Sequence, residues 1–335
     1  MKIRVASAPV SWGIMENVPA PPEYPYSRVL DEIAQAGYTG TELGPYGFLP
    51  VDSSQLRREL DQRRLTLCSA FVAIPLGDSA KHASGFAQVA QAARLISEAG
   101  ARLLILSDEV TPDRSAVAGR PEEANRLSWS GAEWKAAEQA IRAVIASCGK
   151  YGLKVAFHHH VGSHVETPEE VDHLLSLLPP ADLGLCLDTG HYKYGGGDPL
   201  VVLQRYIDRV WCVHLKDIDE TRLSESRQQR VDFHAAVRDG VFARLGNGAI
   251  DLASVLAALA DSAFDGWVVV EQDVLAGGHG AATPLENSTA ARQVTKTWIL
   301  RYTIDSRMKV EGHISRSHER FLTVDRQVWT APWVC

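Results

Sequence analysis

"LKVAFHHHVGSHVETPEEVDHLLSLL", residues 153–178, holds one complete strand–helix unit, and this pattern decides the fold. Its first part is an apolar run of strand length that ends in three histidines. Its last part begins with Thr167 and Pro168, which are favoured at the cap and first position of a helix, and two glutamates follow in the first turn. The stretch therefore predicts a buried strand, a polar connection and a helix.

The same strand–helix order recurs along the chain. We predict strands, each followed by a segment of helical periodicity, at residues 3–9, 38–44, 66–74, 101–108, 153–160, 181–188, 209–217 and 266–273. Strands that are apolar on both faces and alternate with helices indicate a parallel sheet. Eight such units predict an α/β protein with one closed (β/α)8 TIM barrel over residues 1–304, followed by a tail, residues 305–335, without an assigned role. The glycine-rich motifs of nucleotide-binding sheets do not occur.

The composition limits the kinds of partner. The 335 residues carry a formal net charge of −7, which argues against a nucleic acid. No apolar run reaches the roughly 18–20 residues of a membrane span, and the first residues lack the apolar core of a signal peptide. An odd number of cysteines without a CxxC pair favours a reduced, cytoplasmic protein. A small molecule is the expected partner, and a homo-oligomer stays open.

Ionisable side chains stand at the predicted ends of six strands. In (β/α)8 barrels the active site is built at the carboxyl ends of the strands. Here these ends carry Glu42, Asp108, His158 to His160, Asp188, His214 with Lys216 and Asp217, and Glu271. Carboxylates together with imidazoles suit a divalent cation. Because side chains alternate along a strand, His158 and His160 share one face and His159 points to the other.

Several motifs, in their order and spacing, resemble one known family. They are "APVSWGI", "ELGPYG", "HHHVGSHVET", "CLDTGHYKYGGGDP", "VHLKD", "LGNGAIDL" and "VVVEQD". Together they resemble the xylose isomerase-like barrels, a family of sugar isomerases, epimerases and dehydratases, over about residues 3–295. "APVSWGI", "ELGPYGFLP" and the H-x-H-x-G-S pattern are most similar to the inosose (2-keto-myo-inositol) dehydratase branch.

The resemblance implies one divalent metal, with Mn²⁺ or Co²⁺ favoured over Zn²⁺, Fe²⁺ or Mg²⁺. Carried over by position, Asp188, His214 and Glu271 are metal ligands, and we expect them to converge at one rim of the barrel. The remaining ligand is His158, at the position where epimerases of the family carry a glutamate, and His160 is its alternative. That departure counts against an epimerase, because epimerases use two opposed glutamates as acid and base.

The resemblance also implies an activity, that of a metal-dependent dehydratase (a carbon–oxygen lyase) acting on a cyclic polyhydroxy ketone such as 2-keto-myo-inositol. Dehydration removes an α-proton and then the β-hydroxyl, so it needs a base and an acid besides the metal. The candidates are His160 and Lys216, with Glu271 as a second base. For substrate binding, the candidates are Trp12, as an apolar face for the ring, and Glu42, His191, Asp217 and Arg244, as partners of hydroxyls.

Two other functions stay open at this point. One is a metal-dependent isomerase or epimerase of a keto sugar, and the other is a non-catalytic barrel that keeps the metal for structure. A dehydratase releases a dione that absorbs ultraviolet light, whereas an epimerase does not. A purely structural metal site has no open coordination position.

Overall fold

Eight parallel strands close into a barrel, as the sequence predicts. The computed structural model describes residues 3–16, 23–275 and 282–310. The strands are β1 (Arg4–Ser7), β2 (Gly40–Glu42), β3 (Thr66–Ile74), β4 (Leu103–Asp108), β5 (Lys154–His158), β6 (Gly184–Asp188), β7 (Val210–Leu215), β8 (Asp217–Ile218), β9 (Phe242–Ala243) and β10 (Trp267–Val270). Strands β1 to β7 follow one another around the barrel, and β10 closes it between β7 and β1. Strands β8 and β9 form a separate antiparallel pair.

Helices connect the strands and pack against them. They are α1 (Tyr26–Gln35), α2 (Ser53–Gln62), α3 (His82–Glu98), α4 (Pro112–Ala116), α5 (Pro121–Arg126), α6 (Gly131–Gly149), α7 (Pro168–Ser176), α8 (Thr189–Tyr194), α9 (Pro199–Arg205), α10 (Glu220–Gln229), α11 (Phe233–Arg238), α12 (Leu252–Asp261) and α13 (Pro284–Val310). The predicted cap of α7 is present, because the Thr167 side chain accepts from the Glu170 N–H and Glu170 bonds back to the Thr167 N–H. Within the described residues, no helix is both long and apolar enough to cross a membrane.

Helix α13 extends past the predicted end of the barrel domain. It contacts α1, α12 and β10, so its packing belongs to the outer layer of the barrel. The predicted boundary at residue 304 falls inside this helix, which runs to Val310. The rest of the predicted tail, residues 311–335, lies outside the described residues.

Alternation along the strands separates the barrel interior from the layer under the helices. In β5, Val155 and Phe157 join the large core cluster that includes the helices. Ala156 joins a second cluster of mostly small interior side chains, with Cys186 of β6 and Cys212 of β7. Since residues two apart share a face, the residues that follow in the same register at the carboxyl ends also belong to the interior. The strand period therefore directs the polar residues of the rim into the barrel.

A buried ion pair holds the long connection between β4 and α6. This connection contains α4 and α5, and Arg114 of α4 is fully buried. Its guanidinium donates to both carboxylate oxygens of Glu170, each at 2.8 Å, and to the carbonyl oxygen of Ala124 at 2.6 Å. Because Glu170 lies in the first turn of α7, the pair ties the β4–α6 connection to the segment that follows β5.

Removing the cation of this pair should destabilise the fold. In Arg114→Met, Glu170 would keep a buried charge without its partner, so the free energy of unfolding should fall by about 3–5 kcal/mol. Urea denaturation measures the change. Arg142→Met, which removes the half-exposed partner of Glu138, is the matched control and should change stability little. An Arg114→Met protein as stable as this control would show that the buried pair does not hold the connection.

Candidate metal centre and active site

Four side chains from four strands meet at the carboxyl rim of the barrel. His158 and Asp188 are the last residues of β5 and β6, His214 lies in β7, and Glu271 follows β10 directly. The register of β6 and β7 pairs Asp188 with His214. All four side chains are at most 5% exposed. The expected convergence of Asp188, His214 and Glu271 is thus present in the structure.

The facing atoms of this cluster lie close together. His214 Nδ1 is 3.1 Å from Glu271 Oε2 and 3.8 Å from Asp188 Oδ2, and His158 Nε2 is 3.4 Å from the same aspartate oxygen. Among the described residues, His158, Asp188 and His214 form one group able to hold a metal ion, and Glu42, His214 and Glu271 form another. The Nδ1 atoms of His158 and His214 are buried without a hydrogen-bond partner. Imidazole nitrogens and carboxylate oxygens in this arrangement fit a divalent cation.

Contacts with residues outside the cluster orient the side chains of His214 and Asp188. His214 Nε2 is 3.1 Å from Glu42 Oε1, which also accepts from the Ser69 hydroxyl at 2.7 Å. This contact leaves Nδ1 of His214 directed at the cluster, as in histidine ligands that are held by a carboxylate through their second nitrogen. The two carboxylate oxygens of Asp188 have different partners. Oδ1 accepts from the His191 N–H at 2.8 Å and caps α8, whereas Oδ2 faces the cluster. Glu42, which is predicted to bind substrate, therefore contacts the ring nitrogen of His214 that does not face Asp188 and Glu271.

Lys216 is the cation of the site. Its Nζ lies 3.1 Å from Asp188 Oδ2, 3.1 Å from Glu271 Oε2 and 3.0 Å from Asp273 Oδ1. Burial favours the neutral amine, but Asp188, Asp273 and Glu271 outweigh it and raise the pKa of Lys216 well above its usual value. Lys216 therefore holds its proton. Burial also opposes a positive charge on His214, but nearby groups, including Glu271, raise the pKa of His214 well above its usual value.

The histidine triple divides as strand alternation predicts. His158 faces the metal cluster, and His160 lines a cavity of about 640 Å³ at the rim. His159 turns away: its Nε2 accepts from the Asp188 N–H at 3.3 Å, and its ring stands edge-on to Tyr192. Burial lowers the pKa of His158 well below its usual value and lowers the pKa of His159 and of His160 to about 4. These rings are therefore neutral near pH 7.

His160 has a fixed tautomer. Its Nδ1 lies 2.7 Å from the carbonyl oxygen of Val161, so Nδ1 carries the hydrogen and Nε2 keeps a lone pair. The ring packs 4.0 Å from the ring of His191, whose Nε2 is 3.5 Å from Asp273 Oδ2. Phe71 and Phe233 add apolar walls around His160. The arrangement presents a neutral base to the cavity.

Two predicted substrate-binding residues do not reach the site. Trp12 is 1% exposed in the core, and its indole N–H donates to Glu32 at 2.6 Å, so its ring offers no face to a ligand. Asp217 is also buried, and its carboxylate accepts from the backbone N–H groups of Ile218, Gly246, Gly248 and Ile250. Arg244 is exposed beside that turn. The expectation is corrected for two residues, because Trp12 is a core residue and Asp217 anchors a turn. For Arg244 the substrate-binding role stays a prediction.

Sequence reasoning missed two acidic residues at the rim. Asp273 contacts both Lys216 and His191, and its signal was available, because it stands two residues after Glu271 and so on the same face. Glu16 lines the cavity from the segment after β1. Partial desolvation beside the cavity and the negative charges of Glu271, Glu42 and Asp273 raise the pKa of Glu16, although the residue remains exposed to solvent. No local pattern marks Glu16, because it belongs to an irregular connection.

A closed parallel barrel with a histidine–carboxylate cluster at the carboxyl ends of its strands defines a TIM barrel with a candidate metal centre. Residues 30–294 match the family described as the xylose isomerase-like TIM barrel. The chain belongs to this family, which confirms the resemblance seen in its motifs.

Relatives with assigned names align over most of the chain. The inosose dehydratase of Geobacillus kaustophilus is 32% identical over 271 residues, covering 81% of this chain and 87% of the relative. The rhizopine catabolism protein MocC of Rhizobium meliloti is 33% identical over 273 residues, covering 82% of each. Among solved structures, one described as the IOLI protein with a binding zinc atom superposes with a TM-score of 0.65 at 18% identity, covering 90% of this chain and 99% of that one. This last likeness concerns the fold.

The choice between His158 and His160 as the ligand from β5 can be tested by metal content. His158→Ala removes a nitrogen that faces Asp188, so the purified protein should retain far less Mn²⁺ or Co²⁺ after dialysis. His160→Ala should retain the metal at the wild-type level, because its ring faces the cavity. Elemental analysis per mole of folded protein measures both. Metal loss in His160→Ala with retention in His158→Ala would reverse the assignment.

Proposed function

We propose that this chain is a divalent-metal-dependent dehydratase that acts on a cyclic polyhydroxy ketone of the inosose class. The observation that carries the proposal is the cluster of His158, Asp188, His214 and Glu271, with a neutral histidine and a charged lysine beside it, in a chain that aligns with an inosose dehydratase along most of both lengths. Removal of water from such a ketone needs an acidified α-proton, a base and a proton for the departing hydroxyl. The rim contains a residue suited to each proton transfer.

The metal would be held by His158 Nε2, Asp188 Oδ2, His214 Nδ1 and Glu271. Mixed nitrogen and oxygen ligands of this kind suit Mn²⁺ or Co²⁺, which we favour, and they also accept Zn²⁺, Fe²⁺ or Mg²⁺. When bound, the cation supplies Lewis-acid polarisation of the substrate carbonyl. Glu42 holds His214 in the orientation that this set needs.

His160 is the proposed base. Its Nε2 keeps a lone pair because Nδ1 bonds to Val161, and its ring lines the cavity. It takes the α-proton as the carbon–hydrogen bond breaks. The electron pair then forms the new carbon–carbon double bond as the bond to the β-hydroxyl breaks.

Lys216 is the proposed acid. The carboxylates of Asp188, Glu271 and Asp273 hold its ammonium group in place. Lys216 gives a proton to the departing hydroxyl, which leaves as water. His160 then releases the α-proton to solvent and Lys216 takes up a proton, so both residues return to their starting states. The product enol rearranges to a dione, so the net change is the loss of one water. Glu271, the second candidate base, is occupied by Lys216 and His214.

The reaction can be followed directly. The purified protein should convert 2-keto-myo-inositol into a product that absorbs in the ultraviolet, with Mn²⁺ or Co²⁺ present, because the dione enolises. Activity should disappear after exhaustive chelation and return when the cation is restored. An isomeric ketone without new absorbance would instead indicate an epimerase. Full turnover in protein shown to contain no metal would overturn the metal-dependent mechanism.

The two proton-transfer roles predict different defects. Lys216→Met and His160→Gln should each lower kcat by about 10²–10⁴-fold, because each removes an interaction made in the transition state. In deuterated water, Lys216→Met should still exchange the α-proton of the substrate, whereas His160→Gln should not. Mass spectrometry of recovered substrate measures the exchange. Lys216→Met should keep its metal, since the change removes a competitor for Asp188 and Glu271. The reverse exchange pattern would interchange the two roles.

A further inference from the structure

Two cysteines lie directly beneath the metal cluster. Cys186 of β6 and Cys212 of β7 are register partners on neighbouring strands. Each stands two residues before a proposed ligand, Asp188 and His214 respectively, so each thiol points to the barrel interior one layer lower. Both are 0% exposed. The same interior cluster also contains Ala6, Ala156 and a third thiol, Cys68, which donates to the carbonyl oxygen of Thr41 at 3.1 Å.

The two thiols are within reach of a nitrogen of His214. The Sγ atoms of Cys186 and Cys212 and one ring nitrogen of His214 all lie within 4.8 Å of one another. In a tetrahedral site with metal–sulfur bonds of about 2.3 Å, two thiolates stand about 3.8 Å apart, so the group closes with small side-chain movements. His214 is thus common to a carboxylate-rich group above and a sulfur-rich group below.

The upper and the lower group of ligands prefer different cations. Carboxylates and imidazole suit Mn²⁺ or Co²⁺, whereas thiolates select soft cations such as Zn²⁺, Cd²⁺ and Cu⁺. We propose that Cys186, Cys212 and His214 form a second, deeper site for a thiophilic cation. Each thiol releases its proton to solvent on binding, and the ring of His214 serves one site at a time. A thiophilic cation would therefore displace the cation of the upper cluster.

The path to the deeper site follows from its burial. Both thiols are enclosed by the barrel, and the layer above them is the cluster of Asp188 and His214. A cation that enters from the carboxyl rim reaches the lower layer through that cluster. Protein already loaded with Mn²⁺ should therefore take up the thiophilic cation more slowly than metal-free protein.

Cadmium titration tests the site without any assay of turnover. Metal-free protein should bind one Cd²⁺ with a near-ultraviolet thiolate-to-metal charge-transfer band. Substitution of a residue that only orients a metal ligand lowers metal affinity about 10–100-fold. Loss of a ligand itself, in Cys186→Ala or Cys212→Ala, should therefore weaken Cd²⁺ binding at least 100-fold and remove most of the charge-transfer band. Cys148→Ala, a buried thiol of α6 remote from the barrel interior, is the matched control and should behave as wild type.

Two further measurements use the wild-type chain, so the test does not depend on the folding of a variant. The cadmium-113 NMR shift should report two sulfur ligands, and one bound Cd²⁺ should release one Mn²⁺. Cd²⁺ bound without a thiolate band, or a band unchanged in both cysteine variants, would overturn the deeper site. Simultaneous binding of both ions would overturn the sharing of His214. None of these readouts involves dehydration, so their failure is separate from failure of the proposed function.

Discussion

Carboxylates crowd the buried rim of the barrel, and the need to balance their negative charge governs the rest of the site. Asp188, Glu271 and Asp273 all lie within 3.1 Å of Lys216 Nζ. A charge withdrawn from water is costly unless partners of the opposite sign surround it. One lysine cannot balance this whole set, and the carboxylates make further contacts with His158, His191 and His214. A divalent cation would balance the same negative charge, which explains why the candidate metal cluster and a protonated lysine lie side by side.

The same requirement shapes the loops around the rim, although different donors meet it there. Glu170 is balanced by Arg114, and Glu166 accepts from the N–H groups of Gly119 and Gly162. Burial raises the pKa of Glu166 to about 7, so this carboxylate depends on those amides for its place. Asp217 likewise accepts from backbone amides. Carboxylates in these loops therefore build the walls of the site, while those at the strand ends face its centre.

The sequence predicts what depends on local periodicity. Apolar runs mark the strands, and the period of two directs His158 and His160 inward and His159 outward, as the structure shows. Contacts between distant segments leave no such mark. Asp217 stands at the polar end of the predicted strand 209–217, but its partners come from a turn about 30 residues later, and Trp12 pairs with Glu32 of α1. Both were predicted to bind substrate because these partners could not be foreseen.

The strand period also determines what lies beneath the rim. In β6 the inward residues are Cys186 and Asp188, and in β7 they are Cys212 and His214, with Lys216 directly after the strand in the same register. The barrel interior therefore changes along its axis from sulfur to carboxylate and imidazole, and then to the lysine. Thiolates favour a soft cation, whereas carboxylates and imidazole favour a harder one. Because His214 stands between the two proposed cation sites, the depth at which a cation settled would decide whether this histidine stays aligned by Glu42 for the upper cluster.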